Sequence, residues 1–359
     1  MLGPKRLLIV TQKVNSEDQI LGFFVAWIRE FAKHFDLVTV VCLEKGEVSD
    51  KSVLNMPANV RIFSLGKEKK QSRLNYVYCF YSYIWSMRAD YDVVLVHMNP
   101  IYVLMGGPIW KLLSKKIALW YTHKNVDLKL RMATFLVDRV FSASKESFRL
   151  KTKKLLVTGH GIDTDVFSPF VLRQSKASKS VAVGQFKCIS VARISKAKNQ
   201  LVMVEAIEIL ARQGFEGSLT IVGDAITPED RVYKNNIHSY IDTHELVRNK
   251  IIFTGSLPHD AIEGLLGESD LFINLSTTGS LDKAILESMA SGLQVLTSNE
   301  AYTNILLPEN ITTNIPDDVA GKIKVLSAQL PHSEYREYVI KNHSLSNLIA
   351  RLYDELARL

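Results

Sequence analysis

The sequence predicts an α/β protein of two doubly wound, Rossmann-like domains facing a central cleft. Three observations carry that prediction. The chain has 359 residues, more than one ordinary domain holds. Short Val-, Ile- and Leu-rich runs recur without polar alternation, as in parallel strands covered on both faces. Segments with apolar residues at helical spacing separate these runs, and the alternation continues on both sides of one polar break.

The first series opens with the run 6–11 (RLLIVT), a polar loop, and a helix over 22–35 whose apolar residues recur every three or four positions. Strands are expected over 37–43, 60–64, 92–97, 117–122, 139–143 and 155–158. A Ser- and Lys-rich stretch containing SKASKS then interrupts the pattern. The expected organisation is therefore a first domain over 1–168, a linker over 169–185 and a second domain over 186–334. In the second series, strands are read over 188–192, 218–222, 250–254, 271–275 and 295–297, with helices over 200–213, within 230–247, over 260–267 and over 282–291. The stretch 335–359 reads as one or two amphipathic helices, interrupted near 343–344, that pack back on the first domain. Ligands of doubly wound sheets lie beyond the carboxyl ends of the strands, so function is expected just after strands.

Composition narrows the class. Hydrophobic residues make up 47 % and charged residues 23 %, an ordinary globular balance. Cys42, Cys79 and Cys188 are too few and too scattered for a disulfide framework or a cysteine-based metal site. The apolar run near residue 1 is only four residues long, and 18 consecutive apolar residues occur nowhere, so a signal peptide and a membrane span are not expected. The expected location is cytoplasmic, with the inner face of a membrane open to it. Residues 1–175 hold 26 Lys and Arg against 15 Asp and Glu, whereas the remainder is mildly acidic. A basic first half suits an anionic partner. Motifs for dinucleotides (G-x-G-x-x-G), P-loop nucleotides, H-E-x-x-H zinc sites and G-x-S-x-G hydrolases are missing. Neither a cofactor nor a metal is expected.

Four stretches carry chemistry: GHGIDTDVFSP over 159–169, VARISKAKN over 191–199, LTIVGD over 219–224 with IFTG over 252–255, and STTGSLDKAILESMASG over 276–292. In this order they resemble the retaining glycosyltransferases of family 4, which have the GT-B fold. The resemblance is strongest over 155–300. It implies a transferase that moves a sugar from a UDP- or GDP-sugar, a co-substrate, to an acceptor hydroxyl, with a glycan on a lipid carrier as the expected acceptor.

Arg193 and Lys198 follow the first strand of the second domain. A guanidinium fork and an ammonium there can share a diphosphate and stabilise charge growing on it as a leaving group. The resemblance assigns them that catalytic role; the alternative is a solvated loop with two ordinary cations. Residues 279–283 (Gly279, Ser280, Leu281, Asp282, Lys283) precede a helix whose N-terminal N–H groups suit an anion. The resemblance makes Glu287, one turn further, the group that binds the donor ribose. Its usual companion glutamate, eight residues earlier, is replaced by Gly279. Asp282 is a candidate to supply that carboxylate by another route.

His123 in LWYTHKN matches the family's strand-end histidine near the reaction centre, whereas His97 and His160 read more readily as loop-satisfying side chains. Gly22, at the start of the first long helix, would let backbone approach donor or acceptor closely. Lys67, Lys69, Lys70 and Arg73 precede the aromatic stretch 75–85, a pairing that suits a membrane interface, with nucleic acid ranked below it and a buried aromatic face as the alternative. Another GT-B-type activity, such as epimerisation, and a non-catalytic nucleotide-sugar-binding role remain open alternatives.

Overall fold

The computed structural model describes residues 5–18, 21–46, 55–169, 185–277 and 279–359. In the first half, β1 (Arg6–Val14), α1 (Phe24–Ala32), β2 (Leu37–Lys45), β3 (Val60–Ser64), α2 (Arg73–Ser86), β4 (Val93–His97), α3 (Pro100–Leu112), β5 (Lys116–Trp120), α4 (Leu128–Leu136), β6 (Arg139–Ser142) and β7 (Leu155–Val157) follow one another. The strands form one parallel sheet in the order β3-β2-β1-β4-β5-β6-β7. The side-chain alternation of a strand explains the apolar runs. In β1, Leu7 and Ile9 enter one core with Trp27 and Phe31 of α1, whereas Leu8 and Val10 enter the opposite core with Phe80 of α2, Trp110 of α3 and Leu130 of α4.

The second half contains β8 (Phe186–Val191), α5 (Gln200–Arg212), β9 (Gly217–Val222), α6 (Pro228–Thr243), α7 (Glu245–Arg248), β10 (Ile251–Gly255), α8 (His259–Gly267), β11 (Leu271–Asn274), α9 (Lys283–Ala290), β12 (Gln294–Thr297), α10 (Pro316–Ser327), α11 (Ser333–His343) and α12 (Leu345–Ala357). Its five strands are parallel in the order β10-β9-β8-β11-β12. Counted from its own first strand, that order is 3-2-1-4-5, as in the first sheet. Each sheet thus has a switch point, between β1 and β4 and between β8 and β11.

The chain divides into two compact units, 1–161 with 342–359 and 162–341. This division falls several residues before the expected end of the first domain, and the chain returns at 342 and not at 335. Packing explains both shifts. Ile162 and Phe167 are fully buried in a core with Ile189, Phe272 and Leu286, and Tyr335 and Val339 share it. The Arg336 guanidinium donates to the Phe167 carbonyl at 2.8 Å, to that of Thr164 at 3.1 Å, and to that of Ala290, which binds both ends of the segment to the second unit. The last helix packs within the first unit: Leu345, Leu348, Ile349, Leu352 and Leu356 of α12 enter the α1 core. Its start at Ser344, whose hydroxyl accepts from the Asn347 N–H, matches the interruption read near 343–344. Of the expected linker over 169–185, residues 170–184 lie outside the described residues. No helix among the described residues is long and apolar enough to cross a membrane.

Candidate active site

In the second unit, the loops after β8 and β11 meet at the switch point, and the chain ties them to each other. Asn199, held in the left-handed region at φ +52°, donates from its amide to the Leu275 carbonyl at 2.9 Å. The Thr277 N–H donates to the Ala197 carbonyl at 3.2 Å. Lys198 Nζ lies 2.5 Å from Asp282 Oδ2, and Asn274 Nδ2 donates to the same oxygen at 3.1 Å. Lys198 is therefore brought against Asp282 of the 279–283 turn, and Arg193 lies at the start of the same loop after β8.

Arg193 is exposed, and its backbone is fixed from both sides. The buried Gln200 side chain donates to the Arg193 carbonyl at 3.0 Å and accepts from the Ser195 N–H at 3.3 Å. The Ile194 N–H donates to the Asp224 carbonyl at 3.0 Å. Among the described residues the guanidinium makes one loose ion-pair contact, Nε to Asp230 Oδ2 at 3.5 Å.

The segment before α9 is equally held. Asn299 Nδ2 donates to the Ser280 carbonyl at 2.7 Å, and the Tyr302 hydroxyl donates to the Asp282 carbonyl at 2.7 Å. Asn299 and Tyr302 are buried. Leu281 packs against the core formed by Ile285 and Leu286 of α9. Gly279 is buried with φ +59°, a backbone conformation that penalises any β-carbon, so the turn is built for glycine where the resembling family has glutamate. Asp282 Oδ1 accepts the Ala284 N–H at 3.3 Å and caps α9, while Oδ2 takes Lys198 and Asn274. The helix terminus expected to offer free N–H groups thus carries a carboxylate of the chain itself.

Glu287, nearly fully buried, lies 2.8 Å from His259 Nε2 and 3.2 Å from Lys283 Nζ. Burial pushes its carboxyl upward, but Lys283 and His259 outweigh that and hold it below the ordinary carboxylate range. Burial also lowers the Lys283 ammonium, with Glu287 and Asp163 opposing. His259 meets the Phe167 ring edge-on at 5.4 Å, which orients the imidazole. Sequence reasoning missed His259, Gln200, Asn274, Asn299 and Tyr302. None belongs to a motif, and their roles depend on pairings across 5 to 28 positions.

In the first unit, His123 is exposed after β5, and its Nδ1 accepts from the Asn125 N–H at 3.1 Å. In the neutral ring the proton then sits on Nε2. His97 is buried, 3.1 Å from the Thr11 hydroxyl and stacked on Phe24 at 3.9 Å; burial lowers its pKa to about 3, so it stays neutral. The His160 N–H donates to His343 Nδ1 at 3.3 Å, within the same unit. His97 is thus a core side chain of β4, and not one that satisfies loop backbone. Gly22 differs from its expected role. A β-carbon there would sit 2.5 Å from the carbonyl oxygens of Ser16 and Asp18, so glycine is required by the close approach of its own loop.

A parallel 3-2-1-4-5 sheet with cations in the loop after its first strand and a capped helix after its fourth belongs to the doubly wound class of α/β folds. Residues 173–308 match the model of the glycosyl transferases group 1 family. Among curated relatives, the putative colanic acid biosynthesis glycosyltransferase WcaL of Escherichia coli (strain K12) is 28 % identical over 266 residues, 67 % of this chain and 62 % of the relative. The alpha-monoglucosyldiacylglycerol synthase of Streptococcus pneumoniae is 25 % identical over 173 residues, 47 % of this chain and 37 % of the relative. The chain thus spans less than two thirds of either length. Among solved structures, Anabaena Alr3699/HepE in complex with UDP and glucose superposes with a TM-score of 0.75 at 18 % identity, covering 99 % of this chain and 100 % of its own. A glycosyltransferase from Rickettsia africae gives 0.74 at 18 % identity, covering 98 % of each chain. The fold is α/β, of the GT-B type.

Proposed function

We propose that the chain is a retaining, metal-independent glycosyltransferase of the family 4 kind, using a UDP- or GDP-sugar. The observation that carries this reading is the loop after β8, which bears the exposed Arg193 and ties Lys198 to Asp282 of the 279–283 turn. Two cations there can take the two phosphates and the charge that grows when the bond from the anomeric carbon to the phosphate oxygen breaks. In the proposed step the acceptor oxygen bonds the anomeric carbon on the face the phosphate leaves. The acceptor proton passes to the departing phosphate oxygen, and the nucleoside diphosphate is released. Glu287 would meet the donor ribose, and His123 would hydrogen-bond a sugar hydroxyl. Asp282 would release Lys198 to the diphosphate on donor binding.

The proposed acceptor is a hydroxyl of a lipid-borne glycan, at the cytoplasmic face of a membrane. The names of the colanic acid and diacylglycerol-linked relatives favour a cell-surface or lipid acceptor, and the HepE complex with UDP favours uridine. Gly279 supports a second reading, nucleotide-sugar binding without transfer, because the turn holds no glutamate for the sugar. Incubation with α-linked UDP- and GDP-sugars and extracted lipid-linked glycans, followed by NMR of the product, separates the readings. Retained α configuration with stoichiometric diphosphate release is expected; a β-linked product contradicts the retaining step, and binding without release favours the second reading.

A further inference from the structure

The helix layer on one face of the first sheet has an outer surface that the proposed chemistry does not use. Its inner side is ordinary core: Phe80 of α2 meets Tyr102 and Trp110 of α3 at ring separations of 5.8 and 6.2 Å. The Tyr81 hydroxyl donates to the Met105 carbonyl at 3.3 Å, so α2 lies directly against α3. A β-carbon on Gly107 of α3 would lie 3.2 Å from Leu136 of α4, so those two helices are also close. The three helices form a continuous layer.

The outer side breaks the rule that a surface helix turns polar residues to water. Leu74, Tyr78 and Trp85 of α2, and Leu128, Met132 and Phe135 of α4, are each 50–83 % exposed. They recur at spacings of three, four and seven, so each helix presents an apolar stripe to solvent. The three helices contain no Asp or Glu in their combined sequences. Exposed cations border the stripes, namely Lys69, Lys70, Arg73, Arg88, Lys129 and Arg131, and outnumber the carboxylates of the same border, Glu68, Asp90 and Asp127. Arg88 lies over the Trp85 ring at 5.1 Å, which places a charge at the rim of the apolar surface.

We infer that the outer face of α2, α3 and α4 docks on an anionic lipid bilayer, with Leu74, Trp85 and Phe135 entering the headgroup–acyl boundary and the bordering cations meeting lipid phosphates. Charge selects this occupant. A second copy would bring two faces together on each of which six bordering cations face only Glu68, Asp90 and Asp127, an excess of like charge that opposes pairing. Single-stranded nucleic acid would use the aromatic rings and the cations, but it offers nothing for Leu74, Leu128 and Met132, whereas a bilayer satisfies all three kinds of side chain. The inference goes beyond the glycosyl-transfer reading and is tested by binding alone, so the failure of either leaves the other intact.

The tryptophans provide the readout. Of the four, Trp27, Trp110 and Trp120 are buried, and Trp85 alone is exposed. Full-length protein is mixed with phosphatidylglycerol–phosphatidylcholine vesicles and, separately, with pure phosphatidylcholine vesicles; cosedimentation and tryptophan emission are read. Cosedimentation with anionic vesicles only is expected, with a blue shift that disappears in Trp85→Phe. Arg73→Glu with Lys129→Glu is expected to lower partitioning at least about tenfold, and Leu74→Ser with Phe135→Ser to lower it comparably, both with unchanged circular dichroism. No binding to either vesicle, or equal binding to both, overturns the inference. So does a concentration-dependent dimer that Phe135→Ser dissolves, or salt-sensitive RNA binding without vesicle binding.

Discussion

Arg193→Ala is expected to lower kcat/KM for the nucleotide-sugar about 10²- to 10³-fold, the usual cost of removing one preorganised group that stabilises developing negative charge. Most of the loss should appear in kcat, because charge on the phosphate is greatest when its bond to the sugar is breaking. The fold should hardly notice. Arg193 is exposed, its one ion-pair contact is 3.5 Å long, and its backbone is held by Gln200 and Asp224 whatever side chain it bears. A change in stability within about 0.5 kcal/mol is therefore expected, as for an ordinary surface substitution. Arg193→Lys should recover only part of the activity, since an ammonium cannot reproduce a two-pronged contact. Equal activity of wild type and Arg193→Ala would remove the arginine from the chemistry.

Glu287→Ala should have the largest effect on stability. It leaves the Lys283 ammonium largely buried without its carboxylate and removes the partner of His259. Breaking a buried pair from one side costs about 3–5 kcal/mol, which for a unit of this size lowers Tm by roughly 6–20 °C. Glu287→Gln, which keeps the shape and a hydrogen-bond acceptor, should lose less. The pH dependence follows from the direction of the shift. Glu287 is held below its ordinary pKa in the folded chain, so its contribution is complete above the unfolded carboxylate value and is lost as pH falls through the lower folded value. The difference in Tm between wild type and Glu287→Gln should be greatest near neutral pH and shrink on acidification. A pH-independent difference would show that shape, and not charge, is what Glu287 supplies.

Much of this architecture was legible in the residues. Every expected strand forms, because an apolar run such as RLLIVT, with buried neighbours on both sides, has few other ways to hide its backbone and side chains. The position of Arg193 and Lys198 was legible too: both follow the run 188–192, and the loop after the first strand of a 3-2-1-4-5 sheet lies at the switch point. The supports of the site were not. Gln200 holds Arg193 through hydrogen bonds that no periodicity announces, and His259 reaches Glu287 from a different helix. The aromatic stretch 75–85 was half legible. Phe80 and Ile84 face the core, but Tyr78 and Trp85 do not, and only the packing of α2 on its sheet decides which side each takes. Gly22 shows the limit from the other direction: the sequence marks a glycine, and the structure shows that its own loop, through Ser16 and Asp18, requires it.

The central claim is that the switch point between β8 and β11 binds a diphosphate through Arg193 and Lys198. Calorimetric titration with UDP, GDP and the corresponding monophosphates, into wild type and Arg193→Ala, tests it most directly. One nucleoside diphosphate should bind more tightly than its monophosphate. Arg193→Ala should weaken the diphosphate about 10- to 150-fold, the equivalent of one charge-assisted hydrogen bond, and leave the monophosphate nearly unchanged. Equal affinities for the diphosphate in wild type and variant would contradict the claim.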